Sequence, residues 1–157
     1  MVDKPKQHME FASVRSVRMS TLSHATEDRG KVLKAMRELH SDKVSKDFPA
    51  AKAKGHYGNE IVTLRTTITS PREAAMFFTE LWRRLGESER EQILSRLGDH
   101  IDQSGTLFLR IDKEECFQGR IRIGIMDTIR VEVHFSVNSS SPGGVTWSIE
   151  QRIGTIL

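Results

Sequence analysis

Two spacings of apolar residues take turns along the chain. In FASVRSVRMSTL, from Phe11 to Leu22, Val17 and Met19 fall on one side and Arg18 and Ser20 on the other. That alternation predicts a half-buried strand with a basic outer face. The period then lengthens, and Val32, Leu33, Met36 and Leu39 form the stripe of an amphipathic helix. Thr26 stands where an N-cap hydroxyl is useful, with Glu27 and Asp28 at the positive end of the helix dipole. Gly30 weakens that first turn by about 1 kcal/mol relative to alanine.

Beyond Asp47-Phe48-Pro49, residues 50–68 read as two strands around a turn at Gly58-Asn59, where positive φ is tolerated. Val62, Leu64, Thr66 and Ile68 alternate cleanly with polar neighbours. Ser70-Pro71-Arg72-Glu73 combines an N-cap, a proline at the first helical position and a capping-box glutamate. Ala74, Phe77, Phe78, Leu81, Trp82 and Leu85 supply the core side of that helix. A second box, Ser88-Glu89-Arg90-Glu91, opens a short helix carrying Ile93, Leu94 and Leu97. Residues 106–137 read as strand, helical corner, strand, tight turn at Met126-Asp127, and strand. After the break at Ser141-Pro142-Gly143-Gly144, the positions of Val145, Ile149, Ile153 and Ile156 predict a terminal helix. These elements make an α+β fold with a largely antiparallel sheet and helices packed on one face. Residues 1–10 are expected to form a flexible leader before a single domain over 11–157.

Composition narrows the class without changing the fold. The 157 residues are 29% charged and 37% hydrophobic, as in a globular chain. Nothing in the sequence has the length of a membrane span or the pattern of a signal peptide, so a cytoplasmic protein is expected. One cysteine, Cys116, makes neither an internal disulfide nor a cysteine-based zinc site. Its neighbour Glu115 disfavours a thiolate, which points to a packed, inert thiol. Residues 1–78 hold 14 basic and 9 acidic side chains, against 10 and 12 in residues 79–157. A basic half on a chain of net charge +3 points toward a polyanion or, equally, toward two differently charged solvated faces.

Candidate chemistry is sparse. The six histidines do not make HExxH, and neither GxSxG nor a phosphate-binding GxxxxGK[ST] occurs. His24 and His56 each sit beside a turn, and a small hydrolase built on them stands third among the readings. Gly55-His56-Tyr57-Gly58 matches GxxG, although its strand-like flanks do not suit the helix-to-helix loop of a KH domain. A glycine-rich tip can still offer backbone amides to a phosphate, with Tyr57 for stacking and Lys52 and Lys54 upstream. A turn that needs glycine for its φ angles explains the same string. Arg110, Lys113, Arg120 and Arg122 form a second basic cluster, in which Arg120 and Arg122 share a strand face. With Arg15, Arg18 and Arg65 they compose either a phosphate-binding sheet surface or a solvated face crossed by ion pairs to Glu132 and Glu60.

Three strings, HATED at 24–28, GHYGNEIV at 55–62 and LFLRIDKEECFQG at 107–119, resemble the archaeal family of predicted RNA-binding proteins. That family has also been described as a predicted exosome subunit. The resemblance runs from about Phe11 to about Phe135. It implies a fold similar to the large-subunit ribosomal protein that grips the small ribosomal RNA, and likened to double-stranded-RNA-binding domains. The matched positions are His24, Thr26, Glu27 and Asp28, then Gly55, His56, Gly58 and Asn59, then Phe108, Leu109, Arg110, Asp112, Lys113 and Gly119. The tail departs from the family's basic terminal helix, since SPGGVTWSIEQRIGTIL carries only Glu150 and Arg152 as charges. Its Trp147, Ile153, Ile156 and Leu157 suit packing or self-association.

The expectation is therefore a non-catalytic protein that reads the shape and backbone of structured or double-stranded RNA. Its RNA contacts would be Arg18, His24, Lys54, His56, Arg65, Arg110 and Lys113, with Tyr57 stacking. No metal and no cofactor is expected. RNA-processing proteins and a second copy of the chain are the further partners. The alternative is a protein-interaction subunit of an RNA-processing complex that makes no RNA contact of its own.

Overall fold

The computed structural model describes residues 12–40, 50–54, 60–137 and 143–156, with the main chain alone described over 50–54. The expected leader, the expected Gly58-Asn59 turn, and His56 and Tyr57 lie outside the described residues. The chain runs β1 (Ser13–Ser23), α1 (Arg29–His40), β2 (Ala50–Lys54), β3 (Glu60–Ile68), α2 (Pro71–Arg84), α3 (Glu87–Ser95) and α4 (Leu97–His100). It continues through β4 (Thr106–Asp112), α5 (Lys113–Phe117), β5 (Thr128–Ser136) and α6 (Gly144–Gly154).

The five strands form one sheet in the order β2-β3-β1-β5-β4, and every neighbouring pair is antiparallel. The sheet is thus wholly antiparallel, in an α+β arrangement. Val17 and Met19 of β1, Leu107, Leu109 and Ile111 of β4, and Val131 and Val133 of β5 are fully or almost fully buried on one side. Met36 and Leu39 of α1, and Phe77, Phe78, Leu81 and Trp82 of α2, close that side. Val32 packs with Val62 and Leu64 in a smaller cluster under the β3 end. The alternation in β1, β3 and β5 leaves the residues of the other side exposed or half-buried.

Helix α2 starts as its sequence indicates, with Ser70 Oγ accepting from the Glu73 amide and Pro71 in the first turn. Two other starts differ from expectation. The N-terminal cap of α1 is Asp28, not Thr26. Its carboxylate accepts from the Gly30 amide at 2.8 Å and its carbonyl from Lys31 and Val32. Helix α3 begins one residue before Ser88, behind Gly86, without a side-chain cap. The stretch around Arg120 and Arg122 also differs: it is not a strand of the sheet, because Arg120 turns back onto α5, its amide and guanidinium both bonded to Glu115. It returns along β4 through one isolated bridge, Ile111 to Ile123. Finally, Ile153 of α6 is buried in the core, Ile156 packs half-buried against it, and Trp147 is half-buried. Leu157 lies outside the described residues.

Candidate nucleic-acid interface

Strand register decides which basic residues meet. Arg65 of β3 stands opposite Ser20 of β1, Ser20 opposite Arg130 of β5, and Arg130 opposite Arg110 of β4. Four strands at about 4.8 Å spacing therefore carry three arginines in a row roughly 14 Å long. The adjacent row runs Thr67, Arg18, Glu132, Phe108. Both rows lie on the more exposed side of the sheet. Arg18, Arg65, Arg110 and Arg130 are exposed there, and the half-buried Glu132 is the acid among them. Glu132 approaches Arg18 at 3.9 Å and Arg130 at 3.4 Å, so one carboxylate is shared by two guanidinium groups. Arg110 and Arg130 face each other as like charges, an arrangement that costs the sheet a little and gives it a local excess of positive charge.

This face offers little for base stacking. Phe108 is half-buried, and the Arg130 guanidinium lies 5.0 Å from its ring centroid. His134, further along β5, is held at 2.9 Å by the Thr106 hydroxyl.

The rows run out at the edge of β4, where isolated bridges cover the backbone at its two ends. Ile101 bridges to Leu107 at one end and Ile123 to Ile111 at the other. Between them His100 Nδ1 reaches the Phe108 carbonyl at 3.2 Å. The gap forms a groove of about 390 Å³ lined by Asp99, His100, Phe108, Arg110, Gly124 and Arg130, with Ile123 at its end.

The other candidate residues sit elsewhere. Lys113 corrects the sequence expectation: it is 5% exposed and does not reach the basic face. Its ammonium donates to the Leu22 carbonyl at 2.7 Å, to Glu27 at 3.0 Å and to Asp127 at 2.6 Å. Those contacts use all three N–H groups, so none remains for a phosphate. His24 is exposed at the end of β1, with Nε2 3.8 Å from Glu27. Ligand atoms of His24, Glu27 and Asp127 lie within 4.8 Å of one another, the one such group among the described residues. Lys113 already supplies the positive charge between the two carboxylates, and an ammonium there competes with any cation. The strings HATED and LRIDK thus meet in space as a structural ion-pair knot.

The backbone of Lys54 stands opposite Glu60 in the β2–β3 pairing. His56 and Tyr57 lie outside the described residues, and with them any meeting of His24 and His56. Arg120 is bonded to Glu115 at 2.6 Å, which holds that carboxyl below its usual range. Cys116 is buried and donates to the Ala35 carbonyl, and burial pushes its thiol up to about 12. The sequence reading missed Arg130. Its signal was the alternation of Ile129, Val131 and Val133, which turns Arg130 outward, but its partners depend on register.

A family model described as RNA binding matches residues 16–135. The RNA-binding protein PAB1135 of Pyrococcus abyssi is 28% identical over 111 residues, covering 69% of this chain and 72% of its own length. Among solved structures, protein AF2318 from Archaeglobus fulgidus, described as DUF54, superposes with a TM-score of 0.77 at 33% identity. That match covers 90% of this chain and 99% of the other. Protein SSO0741 from Sulfolobus solfataricus, also DUF54, has a TM-score of 0.70 at 25% identity, again over 90% and 99% of the two chains.

Proposed function

The chain belongs to the RNA-binding family whose crystallised archaeal members are described as DUF54, and from that premise we propose that its exposed, arginine-bearing sheet face binds the backbone of structured RNA without catalysis. The observation that carries this reading is the arginine row, Arg65, Arg130 and Arg110, in register across four strands with Arg18 beside it. Guanidinium groups pair two donors with phosphate oxygens, and a planar array of them suits a rigid, regularly charged ligand. Phe108, half-covered by Arg130, is a poor platform for reading single strands, whereas shape and phosphate recognition need none. Lys54, His56 and Tyr57 enter the proposal from the sequence alone, as contacts next to the Glu60 end of β3. A role in RNA processing, in the cytoplasm, is the setting this activity fits.

Fluorescence anisotropy with a labelled RNA hairpin, a matched single strand and a DNA duplex, each across a salt series, tests the proposal. The hairpin should bind tightest with a steep salt dependence. Arg65→Ala should weaken binding and lower the slope of log K against log salt by about 0.7–0.9, the signature of one lost phosphate contact. Equal, weak binding to all three ligands would overturn the reading and leave the chain as a protein-interaction subunit.

A further inference from the structure

Ile125 is 88% exposed and Met126 81% exposed, adjacent to each other at the turn that leads into β5. Single exposed apolar residues are ordinary, but two neighbours this bare on a firmly held turn are not. The turn is pinned on both sides. Before the tip, the Gly124 amide donates to the Arg110 carbonyl at 2.9 Å. There a Cβ would come within 2.9 Å of the Asp112 Cα, so only glycine fits against the strand. After the tip, Asp127 takes a left-handed conformation, φ 53°, and its carbonyl accepts from the Lys113 amide. Its carboxylate is held by the buried Lys113 ammonium, which is anchored in turn to Glu27 and Leu22. Two apolar side chains are thus presented to solvent on a base that does not have to be ordered on binding.

Position says what they would meet. Gly124 lines the groove with Arg110 and Arg130. The Arg110–Arg130 pair lies two residues inside the strand ends at Asp112 and Thr128, roughly 7 Å along the strands. Asp127, the acid at the tip itself, is paired with Lys113, which it shares with Glu27. The groove that starts at Gly124, next to the tip, thus carries two exposed guanidinium groups, which suits an anionic ligand with an apolar part, as a nucleic acid has in its bases.

The geometry points to a base-contacting wedge: Ile125 and Met126 insert against unstacked bases of an RNA whose phosphates lie on Arg110 and Arg130. Apolar side chains entering between bases partly unstack them, at a cost repaid by the flanking phosphate contacts. Bulges and helix ends give way most readily, so the ligand class is an RNA helix interrupted by such a defect. This inference rests on the RNA-binding reading above and adds the part of the RNA that the tip touches.

The probe is an RNA hairpin carrying a one-nucleotide bulge flanked by 2-aminopurine, whose fluorescence rises when the base unstacks. Saturating wild-type protein should raise that fluorescence. The double variant Ile125→Ser/Met126→Ser, altered only at exposed positions, should abolish the rise and weaken binding about tenfold. Its salt slope should stay unchanged, because no phosphate contact is lost. Arg130→Ala should instead lower the slope. Unchanged affinity and fluorescence in the double variant, with Arg130→Ala still reducing the slope, would overturn the wedge and leave the RNA-binding face standing. The wedge also fails if the double variant keeps its RNA affinity but loses self-association in sizing. Wild-type protein that binds neither this hairpin nor the unbulged one overturns both readings.

Discussion

His40 ends α1 at 8% exposure, and among the described residues neither ring nitrogen has a hydrogen-bond partner. It packs against the Phe77 ring at 5.2 Å between centroids, and burial lowers its pKa to about 4. The unfolded chain takes up this proton near 6.5 and the folded chain only near 4. The folded state is therefore fully favoured above pH 6.5, and its stability drains as the pH falls toward 4. The loss is on the order of 2–3 kcal/mol. Denaturant titrations at neutral and acid pH should show a shallower acid loss in His40→Phe, which keeps a ring against Phe77. An unaltered pH dependence would clear His40 of this role. Lys113 poses the opposite case, a buried charge with every donor used. Lys113→Met leaves Glu27 and Asp127 facing each other uncompensated. Both carboxylates reach solvent, so the expected cost is about 2 kcal/mol rather than the larger cost of a fully buried pair. Thermal unfolding measures it, and the folded variant should retain its salt slope for RNA, since Lys113 touches no phosphate.

Among elements, the returning segment at 122–124 shows how a weak contact sets the shape of a site. Its backbone bonds to β4 twice, Asp112 amide to Arg122 carbonyl and Gly124 amide to Arg110 carbonyl. Gly124→Ala pushes a methyl to within 3.1 Å of Asp112 Cα and Cβ and of Thr128 Cγ2. The Asp112 Cα is backbone in a paired strand and cannot yield cheaply, so a loss of about 1–3 kcal/mol is expected. Amide exchange should quicken at residues 112 and 124 while β1 stays protected. The strands themselves were legible because β-branched alternation marks a half-buried strand wherever it occurs, as from Val62 to Ile68. The core stripe of α2 and its Ser70-Pro71 start were legible for the same local reason. What could not be read is everything that depends on pairing. Nothing in LRIDK says that the lysine folds inward to meet Glu27, 86 positions earlier. Nothing in IRVEV says that Arg130 lands opposite Arg110. The Thr26 cap failed on a local competition, because Asp28 reaches the Gly30 amide two residues later and starts the helix there.

For the whole molecule the question is whether RNA affinity belongs to one face or to the chain's positive charge at large. Cations also stand on the helix layer, where the Lys31 and Lys34 ammonium groups lie 5.3 and 4.5 Å from the Phe117 ring centroid and Arg37 is exposed. If net charge alone attracted RNA, any of these would matter as much as a sheet arginine, since long-range attraction sums over the molecule. Contact with phosphates is different: each guanidinium that displaces counterions changes the salt slope, and a distant charge does not. Replacing Arg18, Arg65 and Arg130 together by alanine should lower the slope by roughly 2–3. Replacing Lys31, Lys34 and Arg37 together removes the same formal charge and should leave the slope almost unaltered. Both triple variants change exposed side chains, so circular dichroism should report a native fold for each. Equal slopes for the two variants would mean that the arginine row is ordinary surface charge, and the register that aligns it would have no part in binding.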